Sequence, residues 1–337
     1  MVLATHGRAF WVLDDLVLLE QMTNRPVVAA NGVQLFAPEE AWLTNSYGGS
    51  DDPDASDDAA GENPPFGATV FFHIPANYDG KTPVTLTFND AQGQTIRSYS
   101  LHPKQKKQKN GKNKGGKMTQ QQKTAVAERK ATAIEPGMNR FQWDLSYPDA
   151  ADVKGFYAPD AAGGLGISVQ GPEVVPGSYE AVLDYGGKKS EQTFQVGLDP
   201  RINSSQTDLT ERLALQMKIH TALDTLDKTI NRAIAVRARL EAAVASNRIN
   251  ETQAAAAMPA LNNAINGLVQ MNIASSEGNL LHAPKLHGHL AYLEASVGLG
   301  YVKPTAAQYA VFQDLENQAQ AGEQKLESAI ATADGRL

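Results

Sequence analysis

The chain has 337 residues, no cysteine, and 37 acidic against 30 basic side chains, for a formal charge of -7. That length leaves room for about two or three separate cores. The lack of cysteine excludes disulfides, thiolate catalysis and cysteine-ligated metal sites, and the acidic balance disfavours a dedicated nucleic-acid binder.

Apolar residues 2–4 run into Thr5-His6-Gly7-Arg8, and residues 9–13 form a second run rich in aromatic and β-branched side chains. Two such runs around a glycine turn predict a β-hairpin. A two-stranded hairpin is marginal in water because it cannot bury both faces. Phe10, Trp11, Val12 and Leu13 are therefore the candidate interaction surface. They are expected to dock on the rest of the chain, on another protein, or on a second copy. No basic segment precedes the apolar run and Asp14 and Asp15 follow it closely, so no signal-peptide pattern is visible. No apolar stretch approaches the ~18 residues of a membrane span.

Residues 1–44 read as this hairpin and a wrapping connector, and residues 45–65 as an Asp/Gly/Pro-rich linker. A calcium loop is the rival reading of residues 51–58. Asp52 and Asp54 alternate, but Pro53 separates them and no EF-hand frame follows.

From residue 66 the pattern has period two. Residues 68–74, 84–88, 96–99, 139–145, 177–183 and 192–196 alternate apolar with polar side chains, as half-buried strands do. Asp90-Ala91-Gln92-Gly93 and Gly186-Gly187 read as turns. Residues 66–200 are thus expected to form an immunoglobulin- or fibronectin-III-like β-sandwich. Two insertions interrupt it. Residues 104–123 carry Lys104, Lys106, Lys107, Lys109, Lys112, Lys114 and Lys117, a solvated loop or an anion-binding clamp for an acidic polymer. Residues 149–172 read as a long loop.

Beyond residue 200 the period becomes helical. Asp208 and Glu211 are expected to cap a long helix with Ile219, Leu223, Leu226, Ile230, Ala233, Arg237, Leu240 and Val244 along one stripe. Arg232, Arg237 and Arg239 are expected to face solvent. Met258, Leu261, Ile265 and Leu268 mark a second helix, while Pro284 and Pro304 suit the first turns of a third and a fourth. Residues 201–337 therefore predict an antiparallel helical bundle. The fold class is multidomain, β then α.

Candidate chemistry is sparse. His282, His287 and His289 cluster in sequence, but positions 287 and 289 point to opposed sides of a helix, which argues against a metal site. Gly186-Gly187-Lys188-Lys189-Ser190 lacks the spacing of a phosphate loop, and Gly163-Gly164-Leu165-Gly166 lacks a dinucleotide-site context. Neither a Gly-x-Ser-x-Gly elbow nor a His-Glu-x-x-His helix occurs. No catalytic residue, metal ligand or cofactor is assigned.

The opening Thr5-His6-Gly7-Arg8-Ala9-Phe10-Trp11-Val12-Leu13-Asp14-Asp15 resembles the last-blade signature of bacterial sortilin/Vps10-like β-propeller proteins with BNR (Asp-box) repeats. Further segments are similar to that family in order. They are Asn63-Pro64-Pro65-Phe66-Gly67-Ala68, the Gly137-Met138-Asn139-Arg140-Phe141-Gln142-Trp143-Asp144-Leu145 strand, Gly171-Pro172 through Pro176-Gly177-Ser178-Tyr179, Asp199-Pro200-Arg201, and Pro304-Thr305 with Gln308. The repeated blades are missing, and the lysine tract has no counterpart. The resemblance implies a propeller-blade hairpin remnant and an extracellular or periplasmic location. It also implies a partner, either the missing propeller domain or another chain, with a homo-oligomer as a further option. Family members are often labelled glycosyl hydrolase.

The expected function is a non-catalytic accessory or protein-interaction region of an exported propeller protein. One alternative is a fragment of a BNR-repeat glycoside hydrolase or peptidase whose active site lies in missing blades. A second is a binder of an anionic polymer through the lysine tract.

Overall fold

The computed structural model describes residues 2–4, 6, 10–12, 16–24, 32–44, 66–104, 131–156, 169–255, 257–273 and 281–337. Leu13, the linker 45–65, the lysines at 106, 107, 109, 112, 114 and 117, and the segment 163–166 lie outside the described residues. The chain is a sheet region followed by a helical C-terminal part. Contacts divide it into two units, Met1–Ser146 with Pro176–Ile202, and Tyr147–Val175 with Asn203–Leu337. The sequence division at residue 200 differs: residues 147–175, expected in the sheet region, group with the helices.

In the first unit, β1 (Val2–Ala4) and β2 (Phe10–Val12) pair antiparallel as a two-stranded sheet, with Leu3 opposite Trp11. The helix α1 (Leu16–Asn24) lies where the sequence reading has only a connector. Its Gln21 side chain accepts from the Ala37 N–H and donates to the Ala37 carbonyl.

The remaining strands are β3 (Gln34–Leu35), β4 (Ala41–Leu43), β5 (Ala68–Ile74), β6 (Val84–Asp90), β7 (Thr95–Pro103), β8 (Ala133–Ile134), β9 (Gly137–Trp143), β10 (Gly177–Tyr185) and β11 (Lys188–Leu198). They form a sheet of order β4-β11-β10-β6-β7-β8 and another of order β3-β5-β9. Pairing is antiparallel except for β4 on β11 and β8 on β7. The two turns read from sequence close hairpins. Gly186 and Gly187, both with positive φ, place Tyr185 opposite Lys188. Asp90 Oδ1 accepts from the N–H groups of Gln92 and Gln94.

Alternation sends Val70, Phe72, Ile74, Leu86, Phe88 and Trp143 into one core. There Phe88 of the larger sheet stacks on Trp143 of the smaller, with ring centroids 4.3 Å apart and planes 13° apart. Phe141, Tyr179 and Phe194 surround the pair. Stacked and edge-to-face contacts of this kind add about 1 kcal/mol each beyond area burial.

The second unit is built on α2 (Gln206–Ala245), followed by α3 (Glu251–Ala255), α4 (Met258–Leu268), α5 (Leu286–Gly298) and α6 (Ala306–Asp334). The caps differ from the sequence expectation. Ser205, not Asp208, is the N-cap of α2, and its hydroxyl accepts from the Asp208 N–H. Pro284 and Pro304 lie one residue before the caps Lys285 and Thr305, rather than inside the first turns. Proline's fixed φ and missing N–H suit that approach equally well.

Ion pairs set the helix directions. Lys303 meets Glu211, Arg232 meets Glu327 and Arg239 meets Asp334, so α6 runs parallel to α2. His220 meets Glu294 and Asp227 meets His287, so α5 runs antiparallel to α2. Arg232 and Arg239 are exposed as expected, whereas Arg237 is half-buried and donates to Asn262 of α4. Val269 turns extended and ends α4. Beyond α4, Lys285 Nζ donates to the Asn266 carbonyl and Gln270 Nε2 to that of Ala283.

Candidate functional site

The densest set of buried polar groups among the described residues lies along one edge of α2. Arg212, Gln216, His220, Asp224, Asp227 and Asn231 recur at spacings of three and four, which places them on one helical face. Their partners approach from α5 and from the segment 147–175.

His220 Nδ1 is 2.8 Å from Glu294 Oε1, and His287 Nδ1 is 2.8 Å from Asp227 Oδ1. The two pairs are reciprocal: α2 supplies the histidine of one and the carboxylate of the other. Burial pushes the Asp227 carboxyl up against the opposing pull of His287, and it pushes Glu294 up against the pull of His220. Burial alone would lower His220. The hydrogen bond and charge of Glu294, the charge of Asp224 and the Pro148 carbonyl outweigh it and hold the imidazole above its usual range. Asp227 Oδ2, His287 Nε2, Glu294 Oε2, Gln216 Oε1 and Arg212 Nε have no hydrogen-bond partner among the described residues.

At the other end Arg212, 1% exposed, lies over the Tyr301 ring, 4.6 Å from its centroid. One of its nitrogens donates to the carbonyls of Gly298 and Gly300, where α5 ends, and another lies 3.9 Å from Glu173 Oε2. The Tyr301 hydroxyl donates to the same carboxylate at 3.0 Å. Burial and Glu173 both push the phenol upward, so it stays protonated.

The rest of the edge holds the backbone of the irregular segment around 151–154. Asp224 Oδ1 accepts from Ala151 N–H at 3.0 Å. Asn231 accepts from Lys154 N–H and donates to the Asp152 carbonyl, both at 2.8 Å. Ala150 and Val153 of that segment are buried in the helical core, and Phe156 meets the His287 ring edge-on.

Apart from the five unpartnered atoms named above, these polar groups are spent on one another and on backbone groups. The hollow beside Glu294, Gln216 and Arg212 has a volume of about 160 Å³, below the roughly 300–1,000 Å³ of small-molecule pockets. Larger hollows of about 420 Å³ between α2 and α6 and about 570 Å³ between α5 and α6 are surface grooves that include neither pair.

The residues singled out from sequence fall elsewhere. Phe10, Trp11 and Val12 form strand β2. Lys104 is exposed, with Nζ 3.5 Å from Glu135. Of the histidine cluster, His287 is buried on Asp227, whereas His289 is exposed and His282 half-buried. Among the described residues no group of three or more His, Asp or Glu side chains is arranged to hold a metal ion. His73 Nδ1 lies 3.1 Å from the Gly32 carbonyl. Sequence reading misses the buried pairs, although one signal is present: polar residues at 212, 216, 220 and 224 form an i, i+4 line beside the apolar stripe.

The motif residues that carry the family resemblance hold the structure together. A side chain on Gly67 would put Cβ 2.0 Å from the Trp143 carbonyl oxygen, and one on Gly171 would put it 2.0 Å from that of Tyr147. Trp143 Nε1 donates to the Ser146 carbonyl, and Asn139 ties the turn Glu135–Gly137. Arg201 forks onto Asp199. Thr305 and Gln308 form a capping box.

No family model matches the chain, and no curated protein does. A solved structure, pT26-6p, is 13% identical over 80% of this chain and 46% of that chain, with a TM-score of 0.12. So low a score carries no argument about fold or function.

Proposed function

We propose that this chain is a non-catalytic accessory and protein-interaction region of an exported, sortilin/Vps10-like BNR-repeat propeller protein. In this reading the two sheets are an immunoglobulin/fibronectin-III-like sandwich and the helices a bundle. The Phe88–Trp143 stacking between sheets and the alternating helix directions support those assignments. The β1–β2 hairpin is the element that engages the propeller.

The observation that carries the reading is that β1 and β2 pair only with each other among the described strands. A hairpin of three-residue strands gains stability by adding to a larger sheet. Its outer strand edges are a template for that addition. The structural duties of Gly67, Asn139, Trp143, Gly171, Arg201 and Thr305 fit the same view, because motif positions spent on turns, caps and packing leave no reacting group to assign.

The test is a screen of the purified chain against glycosides, peptides and esters. The reading expects no turnover above buffer. Reproducible hydrolysis, abolished by substituting Glu294 or Asp227 in a variant that still folds, would overturn it.

A further inference from the structure

The α5–α6 pair leaves large apolar side chains in water beside an open groove. Tyr292 of α5 is 47% exposed and Val311 of α6 is 48% exposed. They stand on the two walls of the groove of about 570 Å³, and the buried Leu293 and Leu315 form its floor. Leu299, at i+7 from Tyr292 and so on the same stripe, prolongs the apolar surface at 55% exposure.

The groove carries one acidic and one basic group. At one end Gln308 Nε2 lies 3.4 Å from the Ser296 carbonyl and hydroxyl oxygens, which fixes the level of one helix against the other. The helices are antiparallel, so stepping back from Ser296 to His289 and on from Gln308 to Asp314 covers about 10 Å of each. His289 and Asp314 therefore stand at one level on opposite walls, and both are exposed. No other Asp, Glu, Lys, Arg or His lines the groove among the described residues. Gln318 donates to Asp314 Oδ2, which orients the carboxylate without neutralising it.

This pattern is complementary to itself. A two-fold axis along the groove exchanges the walls and keeps the level. It sets α5 of one copy against α6 of the next, with Tyr292 facing Val311 and His289 facing Asp314. That is the reciprocity an isologous interface requires, and antiparallel neighbours of this kind make a four-helix arrangement. A histidine N–H donates to a carboxylate in either protonation state. A chain with a formal charge of -7 repels its own copies, so they approach best through a face that is apolar and balanced in charge. A foreign helix would have to bring its own complement, whereas a second copy already has it.

We propose that the α5–α6 face is a homodimer interface, two copies packing across a two-fold axis with Tyr292 on Val311 and His289 on Asp314 of the second copy. The contact is independent of the role given to the β1–β2 hairpin.

Sedimentation velocity of the whole chain over a range of concentrations tests this. The mass should move from one chain to two as concentration rises. Val311→Asp, at an exposed position, should weaken association by about tenfold or more while helical signal and melting temperature hold. His289→Glu, which sets a carboxylate against Asp314 of the second copy, should weaken it similarly. His289→Glu/Asp314→Lys should recover most of the loss, which a merely apolar contact would not do. Deleting residues 1–15 should leave the dimer intact. A chain that stays monomeric at every concentration would overturn the interface, as would a dimer untouched by Val311→Asp in a folded variant. So would a double exchange as weak as His289→Glu alone, or a dimer abolished by the deletion.

Discussion

His287 and Asp227 face each other at 2.8 Å with side chains 2% and 0% exposed, so each is the other's principal polar partner in the helical core. Removing one member leaves the other buried without compensation, at a cost of about 3 kcal/mol. Replacing both with apolar residues of similar volume removes the desolvation penalty together with the attraction. Asp227→Leu and His287→Phe should each destabilise strongly. The double variant Asp227→Leu/His287→Phe should be closer to wild type than the sum of the singles. Urea unfolding in a double-mutant cycle measures the coupling, and additive single effects would contradict it.

Two glycines should respond with opposite sign to the same substitution. Gly67 has a φ of +101°, and a Cβ there would fall 2.0 Å from the Trp143 carbonyl oxygen. Gly67→Ala should cost about 1–3 kcal/mol from strain and displacement of β9. Gly267 lies in α4 without a positive φ, and nothing stands within 4 Å of the place a methyl group would take. Gly267→Ala should stabilise by about 0.5–1 kcal/mol. Thermal melts of the two variants give both signs directly.

The capping box of α6 offers a test of local order. Thr305 accepts from the Gln308 N–H at 3.2 Å, while Gln308 Oε1 accepts from the Thr305 N–H at 2.8 Å. Thr305→Ala should cost about 1 kcal/mol, and Thr305→Ser much less. Denaturation midpoints check the ranking; equal losses would show that the hydroxyl is not the source.

Acid should act through Asp199. Side-chain and backbone hydrogen bonds from Arg201 hold its carboxyl down at about 2, from an ordinary 3.8. A depressed folded value means the contribution is complete above about pH 4 and is lost as pH falls toward 2. Carboxyl carbon titration by NMR should show the low value in the wild type and a return toward the ordinary range in Arg201→Gln.

The raised groups of the helical unit work the other way. Asp152, His220, Asp227 and Glu294 are all shifted upward, so the folded unit binds more protons than the unfolded chain. Stability of that unit should fall as pH rises. Denaturation of helical signal at pH 6 and pH 8 checks this, and greater stability at pH 8 would contradict it.

Period-two alternation makes β5, β6, β9, β10 and β11 legible from sequence, and the glycine turns place two hairpins, because both signals are local. The two- and three-residue strands β3, β4 and β8 are not legible, since so short a run has no period to detect. Helix α1 escapes because Leu16-Val17-Leu18-Leu19 is apolar on all sides and shows no stripe. The long helices announce themselves, but their buried polar edge does not. Whether Gln216 or His220 faces water or a neighbour depends on α5 and on the segment 147–175, which has no regular pattern and meets α2 through residues far apart in sequence. The Pro304-Thr305-x-x-Gln308 motif, legible only as a family likeness, is a cap with a physical purpose.

The most direct measurement of the proposed role is association with a sortilin-like, BNR-repeat propeller that lacks its final hairpin, followed by light scattering. The intact chain should form a one-to-one complex, and the chain without residues 1–15 should form none. No complex with the intact chain, or equal binding after the deletion, would contradict a hairpin that completes the propeller.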